Sequence, residues 1–263
     1  MNAQQLLDPI PILAVFVLFA VIALAAFEGG YRIGRWWQTK TPDEKEGPTG
    51  MLVGSLLALM AFMLAVTMGM ASDRFDARRA LVLTEANSIG TTYLRAGYLP
   101  ERSSTEIREL LREYVPLRIT VADRDQLQAN YARSEEILGE LWTVAEDLAR
   151  ATPSSETLAL FIETLNETID LHETRVAAIL YARVPETVLL VLIIGSALTL
   201  GMVGYSAGLT RRRSLLSAVV LVLVLGAVIT LVVDLDRPRE GFLQVSQQPL
   251  VDLQEQIGPP SSP

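Results

Sequence analysis

Cysteine is absent from the 263 residues, and His172 is the only histidine. The lack of thiols excludes disulfide frameworks, thiolate zinc sites and iron–sulfur clusters. A single imidazole argues against histidine-based metal centres and catalytic triads. The sequence also lacks a Gly-rich phosphate loop, an H-E-x-x-H pair and a G-x-S-x-G turn. We therefore expect that the chain is not an enzyme and carries no cofactor.

Basic charge is scarce as well. The chain has 22 Lys and Arg against 30 Asp and Glu, which gives a net charge of -8, and Lys40 and Lys45 are its only lysines. A protein that binds nucleic acid needs clustered cations to neutralise phosphates. Because the sequence shows no basic stripe with interleaved aromatics, we expect no nucleic-acid partner.

Four stretches of 19 to 24 residues lack charge altogether, in a chain that is 50% hydrophobic with a mean hydropathy of +0.33. The stretches are Pro9–Phe27, Met51–Ser72, Thr187–Thr210 and Ser214–Val233. Each is long enough to cross a hydrocarbon core of about 30 Å at about 1.5 Å per residue. The sequence thus predicts four transmembrane helices, with the lipid bilayer as a partner.

The first stretch has a second interpretation as a secretory signal, because Ala23 and Ala25 form an A-x-A pattern. However, residues 1–8 contain no Lys or Arg, and the apolar stretch is longer than a usual signal core. We expect a retained helix, while the sequence alone leaves open whether residues 1–27 are removed.

The charges concentrate between Asp73 and Arg183, where 19 acidic and 13 basic residues lie. Apolar residues recur there at helical spacing, which predicts a helical bundle inserted between the second and third spans. The predicted fold is an all-α multi-pass membrane protein. Its parts are a membrane hairpin over 1–72 with helices at about 9–31 and 51–72, a soluble helical domain over 73–183, a second hairpin over 184–235 with helices at about 187–210 and 214–233, and a C-terminal tail over 236–263.

Local signals predict the helix ends. The second span is expected to run straight on into the inserted domain as far as Pro100. Ser103 with Glu106 forms a capping-box pattern for the next helix, which Pro116 is expected to end. The stretch 41–50, TPDEKEGPTG, is typical of a turn-rich hairpin loop.

The second span differs in composition from the other three. Between Met51 and Ser72 it holds five of the seven methionines and only eight Leu, Val or Phe residues. Small residues recur every four positions at Ala61, Ala65 and Gly69, and Gly204 and Gly208 have the same spacing in the third span. Small residues permit close helix approach in membranes. Two interpretations remain open: ordinary bundle packing, or a second span that lines a pore or axis in an oligomer.

Paired carboxylates are the remaining candidates for chemistry, since hard oxygen ligands suit calcium. The pairs are Asp73 with Asp76, Glu135 with Glu136, Glu146 with Asp147, and Asp234 with Asp236. Solvated helix faces and caps explain most of them, so we assign no metal site. Asp234 and Asp236, directly after the fourth span, come nearest to one. We expect His172, beside Glu173, to be a packed or surface residue and not a ligand.

Glu28 lies at the edge of the first span, where an ionisable group raises the question of function. We expect it to pair with Arg32, one helical turn later. The four stretches are otherwise free of charge. A passive pore is therefore favoured over a proton-coupled pump or an ion-pair-driven transporter.

Three sequence blocks carry a resemblance to a known family. They are D-R-F-D-A-R-R at Asp73–Arg79, E-A-N-S-I-G-T-T-Y-L-R-A at Glu85–Ala96, and D-L-D-R-P-R-E-G at Asp234–Gly241. In these three blocks the sequence resembles the bacterial bestrophin-like domain family, which is itself similar to bestrophins. Bestrophins are pentameric ion channels with four membrane helices per subunit and a helical cytosolic domain. The resemblance implies a homo-oligomer, a pentamer in that case, that conducts inorganic ions.

In bestrophins the second membrane helix lines the pore, with a hydrophobic neck a few turns before an Arg-aromatic pair that resembles Arg74 and Phe75. The resemblance places Ala58, Phe62 and Val66 on the pore face. Ala58 and Val66 are smaller than the family pattern, so a wider neck or a shifted register through Leu59 and Met63 is also open.

The same resemblance places Arg74, Arg78 and Arg79 at the pore mouth, where cations raise the local concentration of anions. Asp76 departs from the family, which tends to have an aromatic residue there. The alternative role of the arginines is anchoring at the membrane edge with Asp73 and Asp76. Asp234 and Asp236 correspond in place to an acidic calcium-binding segment, but the longer acidic run is missing, so no calcium site is assigned.

Positive charges near the span ends number seven on each side, and so leave the orientation undecided. The resemblance implies a protein of the bacterial inner membrane with both termini and residues 73–183 on the cytoplasmic side. The R-R-R run at 211–213 favours the opposite orientation. The alternative function is a membrane-anchored sensor or scaffold whose 73–183 bundle binds a ligand or a protein partner.

Overall fold

The computed structural model describes residues 9–41, 47–119, 124–211, 214–237 and 241–260. Within these ranges every regular element is a helix, as the sequence predicts. The helices are α1 (Ile12–Lys40), α2 (Gly47–Ala96), α3 (Glu101–Arg118), α4 (Arg124–Ala151), α5 (Glu156–Leu180), α6 (Glu186–Leu209), α7 (Leu215–Asp236) and α8 (Gln248–Ile257). The chain forms two compact units, the membrane unit (Met1–Phe75 and Arg183–Gln244) and the helical unit (Asp76–Ala182 and Val245–Pro263).

The membrane unit contains the predicted spans. Four helices, α1, α2, α6 and α7, are long and apolar enough to cross a bilayer. Two of them extend past their expected ends: α1 continues to Lys40, and α2 begins at Gly47. Residues 47–50 are therefore helical and not part of the expected loop, and residues 42–46 of that loop lie outside the described residues. Arg32 Nε donates to Glu28 Oε1 at 2.9 Å, which confirms the predicted pairing.

Close contact between α1 and α6 organises the membrane unit. A Cβ on Gly204 would meet the backbone carbonyl of Phe27, and one on Gly208 would meet that of Tyr31. The approach is reciprocal, because a Cβ on Gly30 would meet the carbonyl of Gly201. The helix backbones therefore touch directly, which confirms the role expected of small residues in the third span.

The helical unit has its own apolar core. Its largest fully buried side chains include Ile89, Leu111, Tyr114, Leu141 and Phe161, from α2, α3, α4 and α5. The helix α2 supplies core residues to both units because it is continuous from Gly47 to Ala96. This continuity confirms the expectation that the second span runs on into the inserted domain.

Two predicted helix ends are wrong. Helix α3 begins at Glu101 with Pro100 as its N-cap, so Ser103 lies inside the first turn and does not cap the helix. Proline fixes φ near the helical value and is favoured at helix starts. Pro116 lies inside α3, which continues to Arg118. Burial of Val115 and Arg118 holds this last turn despite the missing N–H of the proline.

Helix α8 lies within residues 236–263, which were predicted to form a C-terminal tail. Pro249 stands at the helix start, and Leu250, Leu253 and Ile257 are buried in the core of the helical unit. The spacing of three and four residues is the signal that would have predicted this helix. The segment after residue 245 is therefore a structural part of the helical unit.

Replacing Gly204 by Ala is expected to destabilise the protein, because the added methyl group overlaps the backbone of Phe27. Overpacking of this kind costs about 1–3 kcal/mol. Gly29→Ala is the matched control, since nothing lies within 4 Å of a Cβ there, and alanine favours a helix over glycine by about 1 kcal/mol. Thermal unfolding in detergent should give a lower midpoint for Gly204→Ala alone. Equal midpoints for the two variants would contradict the close α1–α6 contact.

Candidate functional site

The predicted pore-lining residues lie on one exposed side of α2 in the membrane unit. Phe62 is 64% exposed and Val66 is 45% exposed in the single chain, and Ala58 is exposed too. The opposite side of α2 packs inside the unit through Met60, Leu64, Thr67 and Ala71. The helix therefore has one side covered by its own chain and one side uncovered.

The shifted register divides between these two sides. Leu59 is exposed, whereas Met63 is partly buried against Met60, Leu64 and their neighbours. Phe62 and Val66 are both exposed. Of Leu59 and Met63, only Leu59 is exposed. The uncovered side of α2 therefore contains Ala58, Phe62 and Val66 together with Leu59, whereas Met63 lies partly inside the unit.

The three predicted pore-mouth arginines have different surroundings. Arg74, in the membrane unit, is half-buried. In the helical unit Arg79 is exposed, whereas Arg78 is only 5% exposed. An exposed guanidinium acts on ions in solution more directly than a buried one. The anion-attracting role expected of this group therefore suits Arg79 better than Arg78.

A buried ion network lies in the interior of the helical unit and was not among the sites predicted from the sequence. Glu85 on α2 is fully buried, and its two carboxylate oxygens accept from two arginines. Arg118 Nε on α3 donates to Oε1 at 2.7 Å, and Arg175 Nη1 on α5 donates to Oε2. Arg175 also donates from Nη2 to Gln247 Oε1 at 2.7 Å. One carboxylate thus joins three helices, and the network reaches the residue before α8.

The sequence did contain a signal for this network. Glu85 lies between Val82 and Ala86 in the apolar stripe of α2. A charge in such a stripe is buried, and a buried charge requires partners. The partners themselves lie 33 and 90 residues away along the chain, so local patterns do not identify them.

Next to the ion network lies a second polar group, around His172 on α5. The imidazole is buried, as a packed residue should be, and its Nδ1 lies 3.1 Å from the hydroxyl oxygen of Tyr114. Burial, with help from the positive charges of Arg118 and Arg175, lowers the pKa of His172 to about 3. The imidazole is therefore neutral near pH 7.

Buried hydroxyls continue this polar contact between α2 and α5. Thr168 Oγ1 lies 2.9 Å from Ser88 Oγ and 3.1 Å from Thr92 Oγ1. Each of the three hydroxyls is buried and hydrogen-bonded. Satisfied polar contacts of this kind specify one arrangement of the helices.

Asp234 and Asp236, the candidates nearest to a metal site, are buried in the membrane unit. The carboxylate of Asp234 accepts from the backbone N–H groups of Phe242 at 2.9 Å and Leu243 at 3.0 Å. That of Asp236 accepts from Val184 N at 2.6 Å and Arg183 Nε at 3.2 Å. These donors fix the chain at the end of α7 and just before α6. They explain the burial of both carboxylates without a metal ion.

Replacing Glu85 by Gln is expected to destabilise the helical unit by about 3–5 kcal/mol, because it leaves two buried guanidiniums without a counter-charge. Glu163→Gln is the matched control: its carboxylate is 71% exposed and pairs with Arg95 at 3.4 Å, and such pairs contribute about 0–1 kcal/mol. Denaturant unfolding of the detergent-solubilised protein measures both. A loss of stability no larger for Glu85→Gln than for the control would contradict the structural role of the network.

Comparison with known proteins gives the family. A family model described as the Bestrophin-like domain matches residues 17–250. A solved variant of a bacterial bestrophin homologue from Klebsiella pneumoniae is 15% identical, with 94% of this chain and 97% of that chain covered and a TM-score of 0.68. A further structure of a bacterial bestrophin homologue from the same organism is 16% identical, with 92% and 94% covered and a TM-score of 0.63. None of the curated proteins matches this chain.

Structural likeness at such low identity shows the shared fold. The assignment to a family depends on the match to the family model, which spans most of the chain and includes the blocks at Asp73–Arg79 and Glu85–Ala96. The resemblance predicted from those blocks is confirmed. The chain is a membrane protein that belongs to the bestrophin-like family.

Proposed function

We propose that several copies of this chain, five by analogy with bestrophins, form an ion channel in the bacterial inner membrane, and that α2 lines the ion path. Family membership and the likeness to solved bestrophin homologues support the proposal. The ions pass without covalent chemistry.

The uncovered side of α2 is the observation that carries the proposal. Small residues make up much of it, beside Leu59, Phe62 and Val66, whereas most of the exposed side chains of α7 are large and aliphatic. Between residues 51 and 72 the exposed small residues of α2 are Gly54, Ser55, Ala58, Ala61, Ala65 and Gly69, and the large exposed residues of α7 are Leu215, Leu216, Val220, Leu223, Val224 and Leu231. A surface of Leu and Val suits lipid, and a surface of small residues suits close packing between helices. We infer that α7 faces lipid and α2 faces other copies of the chain.

Apolar side chains on such an axis act as a gate. A ring formed by Phe62 and Val66 from each copy is narrow and hydrophobic, and a constriction of this kind closes by dewetting. Arg79 is exposed, and Arg74 is half-buried. Their positive charges favour anions over cations near the pore. Because residues 51–72 contain no ionisable group, no proton relay runs through this part of α2.

Replacing Phe62 by Ala is expected to raise ion flux severalfold or to change the ion preference, because the substitution widens the constriction. The measurement is ion flux through proteoliposomes, with protein-free liposomes as the baseline. Leu223→Ala on α7 is the matched control, since it also removes an exposed apolar side chain from a span. Flux unchanged by Phe62→Ala, or changed equally by both variants, would contradict the assignment of α2.

The absence of cysteine permits a second test of the same prediction. A water-soluble thiol reagent should block flux through Phe62→Cys and leave flux through Leu223→Cys unchanged, because only a pore-lining thiol meets water. The two results would be reversed if α2 faced lipid and α7 lined the path.

The orientation is tested by a reporter inserted after Pro153, in the exposed turn between α4 and α5. By resemblance to bestrophins, residues 73–183 lie in the cytoplasm. A fluorescent protein should therefore be bright at this position, and an alkaline phosphatase that needs the periplasm should be inactive. The opposite pattern would favour the alternative function, a sensor or scaffold whose helical unit binds a ligand outside the cytoplasm.

A further inference from the structure

Three potential metal ligands meet in the helical unit, where α4 lies beside α5. They are Glu135 on α4 and His172 and Glu173 on α5. One ring nitrogen and one oxygen from each carboxylate lie within 4.8 Å of one another. The proposed channel function uses none of these side chains.

The imidazole of His172 is held in place. It is 1% exposed, and its Nδ1 is in hydrogen-bond contact with the hydroxyl of Tyr114 at 3.1 Å. Among the described residues, none forms a hydrogen bond with Nε2 of His172. Histidine ligands of metals are commonly oriented through a hydrogen bond at their second nitrogen. Tyr114 provides that bond at Nδ1, so a metal ion would have to bind at Nε2.

The charges around His172 bear on whether a cation can bind there. The guanidiniums of Arg118 and Arg175 share the single carboxylate of Glu85, so one positive charge of that group is not balanced. The two carboxylates of Glu135 and Glu173 outweigh it and supply the negative charge that a divalent ion needs.

The site is also accessible. Glu135 and Glu173 are exposed, so both carboxylates are open to an ion in solvent, and His172 lies buried within 4.8 Å of them. We propose that Glu135, His172 and Glu173 bind one divalent transition-metal ion, and that zinc is the cation the site favours. Three protein ligands with nitrogen and oxygen donors, completed by water, are typical of zinc. Calcium prefers six to eight oxygen ligands and is disfavoured by the imidazole.

Zinc titration of the full chain tests the proposal, with calorimetry on chelator-treated protein in detergent and without a histidine tag. One zinc ion per chain is expected to bind. Glu135→Gln with Glu173→Gln should weaken the affinity by roughly tenfold or more, comparable to the loss of a strong outer-shell partner. Glu136→Gln with Glu167→Gln is the matched control, because both residues are exposed on the same two helices. The control should bind zinc like the wild type.

X-ray absorption at the zinc edge adds a measurement that does not depend on a folding-sensitive variant of His172. The bound ion should show nitrogen and oxygen neighbours with the scattering pattern of one imidazole. The proposal is overturned if the wild type binds no zinc, if the double variant binds as tightly as its control, if calcium binds as tightly as zinc, or if the imidazole signal is missing.

Discussion

The continuous backbone hydrogen-bond ladder of α2 is the constraint on which both units depend. In hydrocarbon every N–H and C=O must be bonded within the protein, and a helix meets this condition by itself. The same ladder continues from the membrane unit into the helical unit, from Gly47 to Ala96. Met60 and Leu64 pack in the first unit, and Val82 and Ile89 pack in the second. A break in α2 would remove core residues from both.

Different contacts hold the helices together in the two units. In the membrane unit α1 and α6 approach through glycines, so that backbone contact replaces bulky side chains. In the helical unit a single buried carboxylate, Glu85, joins α2, α3 and α5 through Arg118 and Arg175. A buried ion pair contributes little net stability, but it is costly to mismatch. The network therefore restricts how the helices of this unit can pack.

Most of the fold could be predicted from the sequence because its determinants are local. Uncharged stretches gave the spans, and helical spacing gave the bundle. Pro116 misled the prediction because the burial of Arg118 outweighs the local preference for ending the helix. The ion network could not be predicted in full, since Glu85 and Arg175 are 90 residues apart. The expectation that the chain is not an enzyme rests on its family more firmly than on missing motifs.

The candidate sites were harder to predict than the fold. Ala58, Phe62 and Val66 were predicted from a resemblance, and they lie on the exposed side of α2. His172 was expected to be a packed or surface residue and not a ligand; its burial fits the first part, and the proposed metal site departs from the second. Its contact with Tyr114 and its closeness to Glu135 depend on how α3, α4 and α5 pack. Such contacts between helices are not encoded in any single stretch of sequence.

The glycine contact between α1 and α6 determines how early the membrane unit can assemble while the chain is being synthesised. A ribosome completes α1 long before it reaches Glu186, where α6 begins. Until then Gly30 and Gly34 have no α6 backbone to pack against. A nascent chain that stops short of α6 therefore leaves α1 without its packing partner, and the membrane unit can assemble only after α6 has been synthesised.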